Sequence, residues 1–149
     1  MPSLVLYQPD IPQNLGASMR LCACFETELH IIEPCGFPLD EKRVKRSGMD
    51  YAEHTQLHRH TDWEQFQAAH EGRTIILSTK AESSLYDFAF QPTDKLIMGR
   101  ESAGLPEDIH NNADHRLIIP MSEGMRSLNV AMSAAIVLSE ARRQLLFSH

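Results

Sequence analysis

Apolar residues recur along the chain in short runs separated by polar segments marked with glycine and proline. Six runs have the length and composition of strands: SLVLYQ, ELHIIEP, AEHTQLHRH, RTIILST, DKLIMG and HRLIIP. The segments between them carry helical spacing. In PQNLGASMRLCACF, Asn14 is positioned as a helix cap, with Met19, Leu21, Ala23 and Cys24 as apolar positions. PLDEKRVKRSG predicts a short helix with a basic face, stopped at Gly48. TDWEQFQAAH predicts a helix capped by Thr61 or Asp62, with Trp63, Phe66 and Ala69 on one face. GLPEDIHNN opens at Pro106, a favoured first helical residue. SLNVAMSAAIVLSEARRQLL is the longest helix; its charges from Glu140 to Arg143 predict burial early and exposure late.

Strands alternating with helices pair in parallel through crossover connections, so the expected fold is α/β: one parallel sheet flanked by helices. In such sheets ligands bind beyond the carboxyl ends of the strands. The loops after Ser78, Met98 and Ile119 are therefore the places for a site. The length of 149 residues suits one domain, 1–149.

Composition narrows the class. Apolar content of 42% and charged content of 23% are ordinary for a soluble globular protein. No apolar run approaches the roughly 20 residues of a membrane helix, so no membrane partner is expected. The start MPSLVLYQPD lacks the features of a signal peptide, which predicts a cytoplasmic protein. Cys22, Cys24 and Cys35 form no framework spacing and read as reduced thiols. The net charge of −6 argues against a protein that coats nucleic acid without specificity, while leaving room for a local basic patch. Lys42, Arg43, Lys45 and Arg46 are the densest basic cluster, either a solvated helix face or a phosphate track. His54, His58 and His60 lack a fourth ligand at metal-site spacing, so no metal is expected, and His30 and His115 read as structural.

The chain contains neither G-x-x-x-x-G-K-[ST] nor a G-x-G-x-x-G after the first strand, which disfavours P-loop and dinucleotide-binding classes. Three other stretches stand at the strand ends instead: PQNLGASMR, IMGRESAGLP and IIPMSEGMRSLNVAMSAA. In order and spacing they resemble the three motifs of the SPOUT RNA methyltransferases, in particular the branch that methylates ribose 2′-hydroxyls. LVLYQPDIPQN and LHIIEPCGF extend the likeness to the minimalist subfamily acting on the wobble nucleotide of tRNA, without a separate RNA-binding extension.

That resemblance implies a C-terminal deep trefoil knot, a homodimer through the first and last helices, and S-adenosylmethionine as cofactor. It implies a cofactor site at Leu77, Ser78, Gly99, Glu101, Gly104, Ile119, Met121, Ser127 and Leu128. Arg20, Asn14, Ser127 and Asn129 become the catalytic candidates; capping of helices is the alternative role for Asn14, Ser127 and Asn129. Arg126 and the 42–46 cluster are candidates for contact with a tRNA anticodon stem-loop. Many relatives carry a second small hydroxyl residue where this chain has Ala131, so no side-chain hydrogen bond is expected there. A non-catalytic RNA-binding relative, or one directed to rRNA, is the alternative reading.

Overall fold

The structure is a computed structural model and describes residues 1–40, 42, 54–125 and 128–147. Seven strands form one sheet: β1 (Ser3–Tyr7), β2 (Leu29–Ile32), β3 (Leu57–His60), β4 (Thr74–Leu77), β5 (Ser83–Ser84), β6 (Lys95–Met98) and β7 (His115–Ile118). Their order is β3-β2-β1-β6-β4-β7-β5, and every pairing is parallel. Each of the six expected runs holds a strand. The seventh, β5, consists of two serines with no apolar signature; it forms because it pairs with β7. The helices are α1 (Pro12–Cys24), α2 (Trp63–Ala69), α3 (Glu107–Asn112) and α4 (Val130–Arg142).

The alternation of side chains along each strand sorts the core into two layers. Leu4, Leu6, Leu29, Ile31, Leu96 and Met98 point to the face covered by α1 and α4, where they meet Leu15, Met19, Val137 and Leu138. Val5, Tyr7, Ile32, Ile76 and Ile97 point to the other face, against Phe66 of α2 and Ile109 of α3. A parallel sheet covered on both sides explains why the runs are almost continuously apolar. Each fully buried aliphatic side chain contributes about 1.5–3 kcal/mol relative to exposure.

Several local expectations are corrected. Asn14 is not a cap: α1 opens two residues earlier with Pro12, and Ile11 is its N-cap. Proline loses nothing there, because the first N–H groups of a helix have no intrahelical partner. Asp62 rather than Thr61 caps α2, accepting from Gln65 N at 2.7 Å. Ala69 is exposed, while Phe66 is buried. In α4 the expected split holds only in part: Ala134, Val137 and Leu138 are buried and Arg143 is exposed, but Met132 is 59% exposed and Glu140 only 9% exposed. Arg143 Nη2 lies 2.7 Å from Glu140 Oε1, and Gln144 Nε2 donates to the same oxygen at 3.2 Å, which makes burial of that carboxylate tolerable. Of the expected basic helix, Pro38 to Asp40 are irregular and Lys42 is exposed, and the rest lies outside the described residues.

The amino ends of the central strands are pinned by one ion pair. Arg73 reaches the fully buried Asp94 through two bonds of 2.8 Å, Nε to Oδ1 and Nη2 to Oδ2. Gln91 N donates to Asp94 Oδ2 at 2.8 Å, and Ser3 N donates to the Asp94 carbonyl at 2.9 Å. The starts of β1, β4 and β6 are thereby held together at the end of the sheet away from the candidate site.

Candidate active site

The carboxyl ends of β6, β4 and β7 are neighbours in the sheet, and the loops that follow them enclose a cleft of about 500 Å³. Leu77, Met98, Ile119 and Leu128 provide apolar wall. Ser78, Thr79, Lys80, Glu101, His110 and Asn129 provide polar groups around it. His110 Nε2 lies 3.1 Å from Ser78 Oγ, so α3 and the end of β4 meet at the rim. The volume and the mixture of apolar wall with a few polar groups suit a small organic ligand.

Glycine shapes the floor. Arg100 and Gly104 exchange backbone hydrogen bonds of 3.1 and 2.9 Å, folding the loop after β6 back on itself. A Cβ on Gly99 would fall 2.8 Å from the carbonyl carbon of Gly104, so only glycine permits this closure. The fold-back carries Glu101 inward.

Glu101 is the centre of a network joining three distant segments. Its Oε2 accepts from Asp10 N at 3.0 Å and its Oε1 from Asn14 Nδ2 at 3.1 Å. Asn14 Oδ1 in turn accepts from Asn129 Nδ2 at 2.9 Å. Asn129 Oδ1 caps α4, accepting from Ala131 N at 2.8 Å and Met132 N at 3.2 Å. Ser102 Oγ donates to Asp10 Oδ2. Burial, followed by the neighbouring Asp10 carboxyl, raises the pKa of Glu101 above its ordinary 4.5. Interaction with Glu101, then the Ser102 hydroxyl, lowers that of Asp10 below 3.8. When this acid pair holds one proton, Glu101 is the partner that keeps it.

The structure brings together most of the residues singled out in the sequence. Leu77, Ser78, Gly99, Glu101, Gly104, Ile119, Met121, Leu128, Asn14 and Asn129 all line the cleft. Arg20 does not: it is an exposed residue of α1, six positions beyond Asn14, and is not among the lining residues. Arg126, Ser127, Arg43, Lys45 and Arg46 lie outside the described residues. Sequence reading missed Asp10, Ser102 and His110. The Pro9-Asp10-Ile11-Pro12 punctuation marked a turn but carried no sign that its aspartate would meet a loop 91 residues away.

Fold and cleft together define a parallel α/β protein with its ligand site at the carboxyl ends of adjacent strands. The chain belongs to the SpoU rRNA Methylase family, whose sequence pattern matches residues 1–139. A protein of Beijerinckia indica subsp. indica named tRNA (cytidine(34)-2'-O)-methyltransferase is 54% identical over 144 residues, covering 95% of this chain and 90% of that relative. A solved structure described as giving insight into the 2-OH methylation of C/U34 on tRNA superposes with a TM-score of 0.94 at 41% identity. It covers 99% of this chain and 98% of its own. An AdoMet-bound rRNA methyltransferase of Sinorhizobium meliloti matches with a TM-score of 0.85 at 25% identity, over 97% of this chain and 57% of its own.

Proposed function

We propose that this chain is an S-adenosylmethionine-dependent tRNA methyltransferase that modifies the ribose 2′-hydroxyl of nucleotide 34, cytidine or uridine, in the anticodon loop. The observation that carries the reading is the name shared by relatives that align with nearly the whole chain at up to 54% identity. The cleft suits the cofactor. Its apolar wall and exposed backbone can hold an adenosine, and the floor at Gly99 has no room for a side chain. Leu77, Ser78, Ile119, Met121 and Leu128 would hold the nucleoside end, with Gly99, Glu101 and Gly104 closing over it. When bound, S-adenosylmethionine supplies an electrophilic methyl group on a sulfonium.

The chain's own residues then have to position a ribose, hold it in line and manage one proton. Asn14 and Asn129 fix each other, and Asn129 is anchored by the first turn of α4, so their amides form a rigid platform for the sugar. A guanidinium is a poor general base, so the part of Arg20 is to neutralise phosphate and the developing alkoxide. Arg20 is exposed on α1 and is not among the residues lining the cleft, and a homodimer through α1 and α4 would give it a site to serve. Ile11 at 40% and Met132 at 59% exposure support that surface. The polar turn carrying Gly124, at φ +87°, would wrap the cofactor, and the single domain 1–149 would end in a C-terminal trefoil knot.

Purified protein with labelled S-adenosylmethionine should transfer methyl to the 2′-oxygen of nucleotide 34 in tRNA lacking that mark. Arg20→Ala should lower transfer by roughly 100-fold while cofactor affinity changes by less than about threefold. Absence of transfer to any tRNA or rRNA, at every salt concentration tried, would overturn the reading.

A further inference from the structure

On the sheet face opposite α1 and α4, four histidines gather around the edge of β2 and β3. His30 and His58 are register partners, and His60 lies two residues further along the same face. His70, at the end of α2, closes over them: its ring centroid is 4.4 Å from that of His30 and 5.1 Å from that of His60. His30 Nδ1 and His60 Nε2 are 3.0 Å apart, and His30 and His60 are buried. One nitrogen from each of His30, His60 and His70 falls within a cluster no wider than 4.8 Å.

We propose that His30, His60 and His70 form a binding site for a divalent transition metal of the zinc class. Three neutral imidazoles suit a borderline cation, and metal–nitrogen bonds of about 2.0–2.1 Å place tetrahedral ligand nitrogens roughly 3.3 Å apart. The observed separations need only small side-chain movement to reach that geometry.

The second nitrogen of His30 supplies an independent sign. His30 Nε2 is buried and makes no hydrogen bond, yet Glu28 Oε2 stands 3.5 Å from it. A carboxylate behind the distal nitrogen is the arrangement that orients a metal-bound imidazole through its Nδ1. His70 is half-buried, which provides an entry path and leaves the fourth position to water. The metal would tie β2, the edge strand β3 and the end of α2 to one another.

The test uses the full chain stripped with chelator, titrated with Zn²⁺ by calorimetry and with Co²⁺ by visible absorption. One equivalent should bind, with Co²⁺ bands of tetrahedral intensity. At metal about a hundred times Kd, the unfolding midpoint should rise by roughly 5–10 °C. His70→Ala should lose both the binding and the shift, His60→Gln should do the same, and His115→Ala, outside the cluster, should retain both. Sub-stoichiometric binding, or an equal shift in His70→Ala and the parent, overturns the site. If neither ligand variant folds, octahedral Co²⁺ bands in the parent overturn it and tetrahedral bands sustain it.

Discussion

The two ends of the central sheet handle a carboxyl in opposite ways, fully buried at one end and half-buried at the other. At the amino end, Asp94 is answered by a guanidinium in two bonds of 2.8 Å. At the carboxyl end, Glu101 is answered by an amide and a backbone N–H, with a second carboxyl beside it. The first arrangement is an internal brace that leaves little for a ligand to do. The second is polar and adjustable, and its groups border an open cleft. Stability and chemistry are thus divided between opposite ends of the same strands.

The largest effect should come from breaking the brace. Arg73→Ala leaves a fully buried carboxylate without its cation and should cost about 3–5 kcal/mol in urea unfolding. Molecules that remain folded should keep their affinity for S-adenosylmethionine; a matching loss of affinity would erase the division between the two ends. Next, Asn129→Ala removes the cap of α4 and should cost about 1 kcal/mol. Asn129→Asp should keep the cap and most of the stability but lose the donor to Asn14 Oδ1, so methyl transfer should fall in both variants. Equal transfer by the aspartate variant and the parent would separate the network from catalysis.

The smallest effect concerns pH. Because the folded pKa of Glu101 is raised, its contribution to stability is present below the ordinary 4.5 and is lost as pH rises through the raised value. Asp10, with its pKa lowered, contributes above 3.8 and loses that contribution as pH falls. Glu101→Gln should therefore flatten the loss on the rising side. Denaturation midpoints of the two proteins measured upward from pH 4 should draw together or cross; parallel curves would show that Glu101 titrates normally.

Much of the fold was legible because a parallel sheet buried on both faces writes itself as apolar runs, as in RTIILST and DKLIMG. β5 was not, since Ser83 and Ser84 become a strand only through β7. The positions lining the cleft could be found from strand ends and motif resemblance. What Asn14 does could not: it has the composition of a cap, but its partner is 115 residues away. Glu140 misled although its partner Arg143 is only three residues away, since the sequence does not say which face of the helix the pair lies on. The histidines were judged on the local spacing of His54, His58 and His60, whereas strand register and α2 bring His30 and His70 to His60.

The strand order has a consequence for how the molecule is made. β7 lies between β4 and β5, both of which leave the ribosome before it. A nascent chain stopped before residue 115 has a sheet that ends at β4, leaves Ser83 and Ser84 without the strand they pair with, and lacks the third wall of the cleft. Asn129 emerges later still, so the Asn14 amide waits for its partner until nearly all of the chain has been synthesised. The cleft is therefore complete only once the chain has been made through Ser133: shorter products carry the early motifs but lack part of the lining.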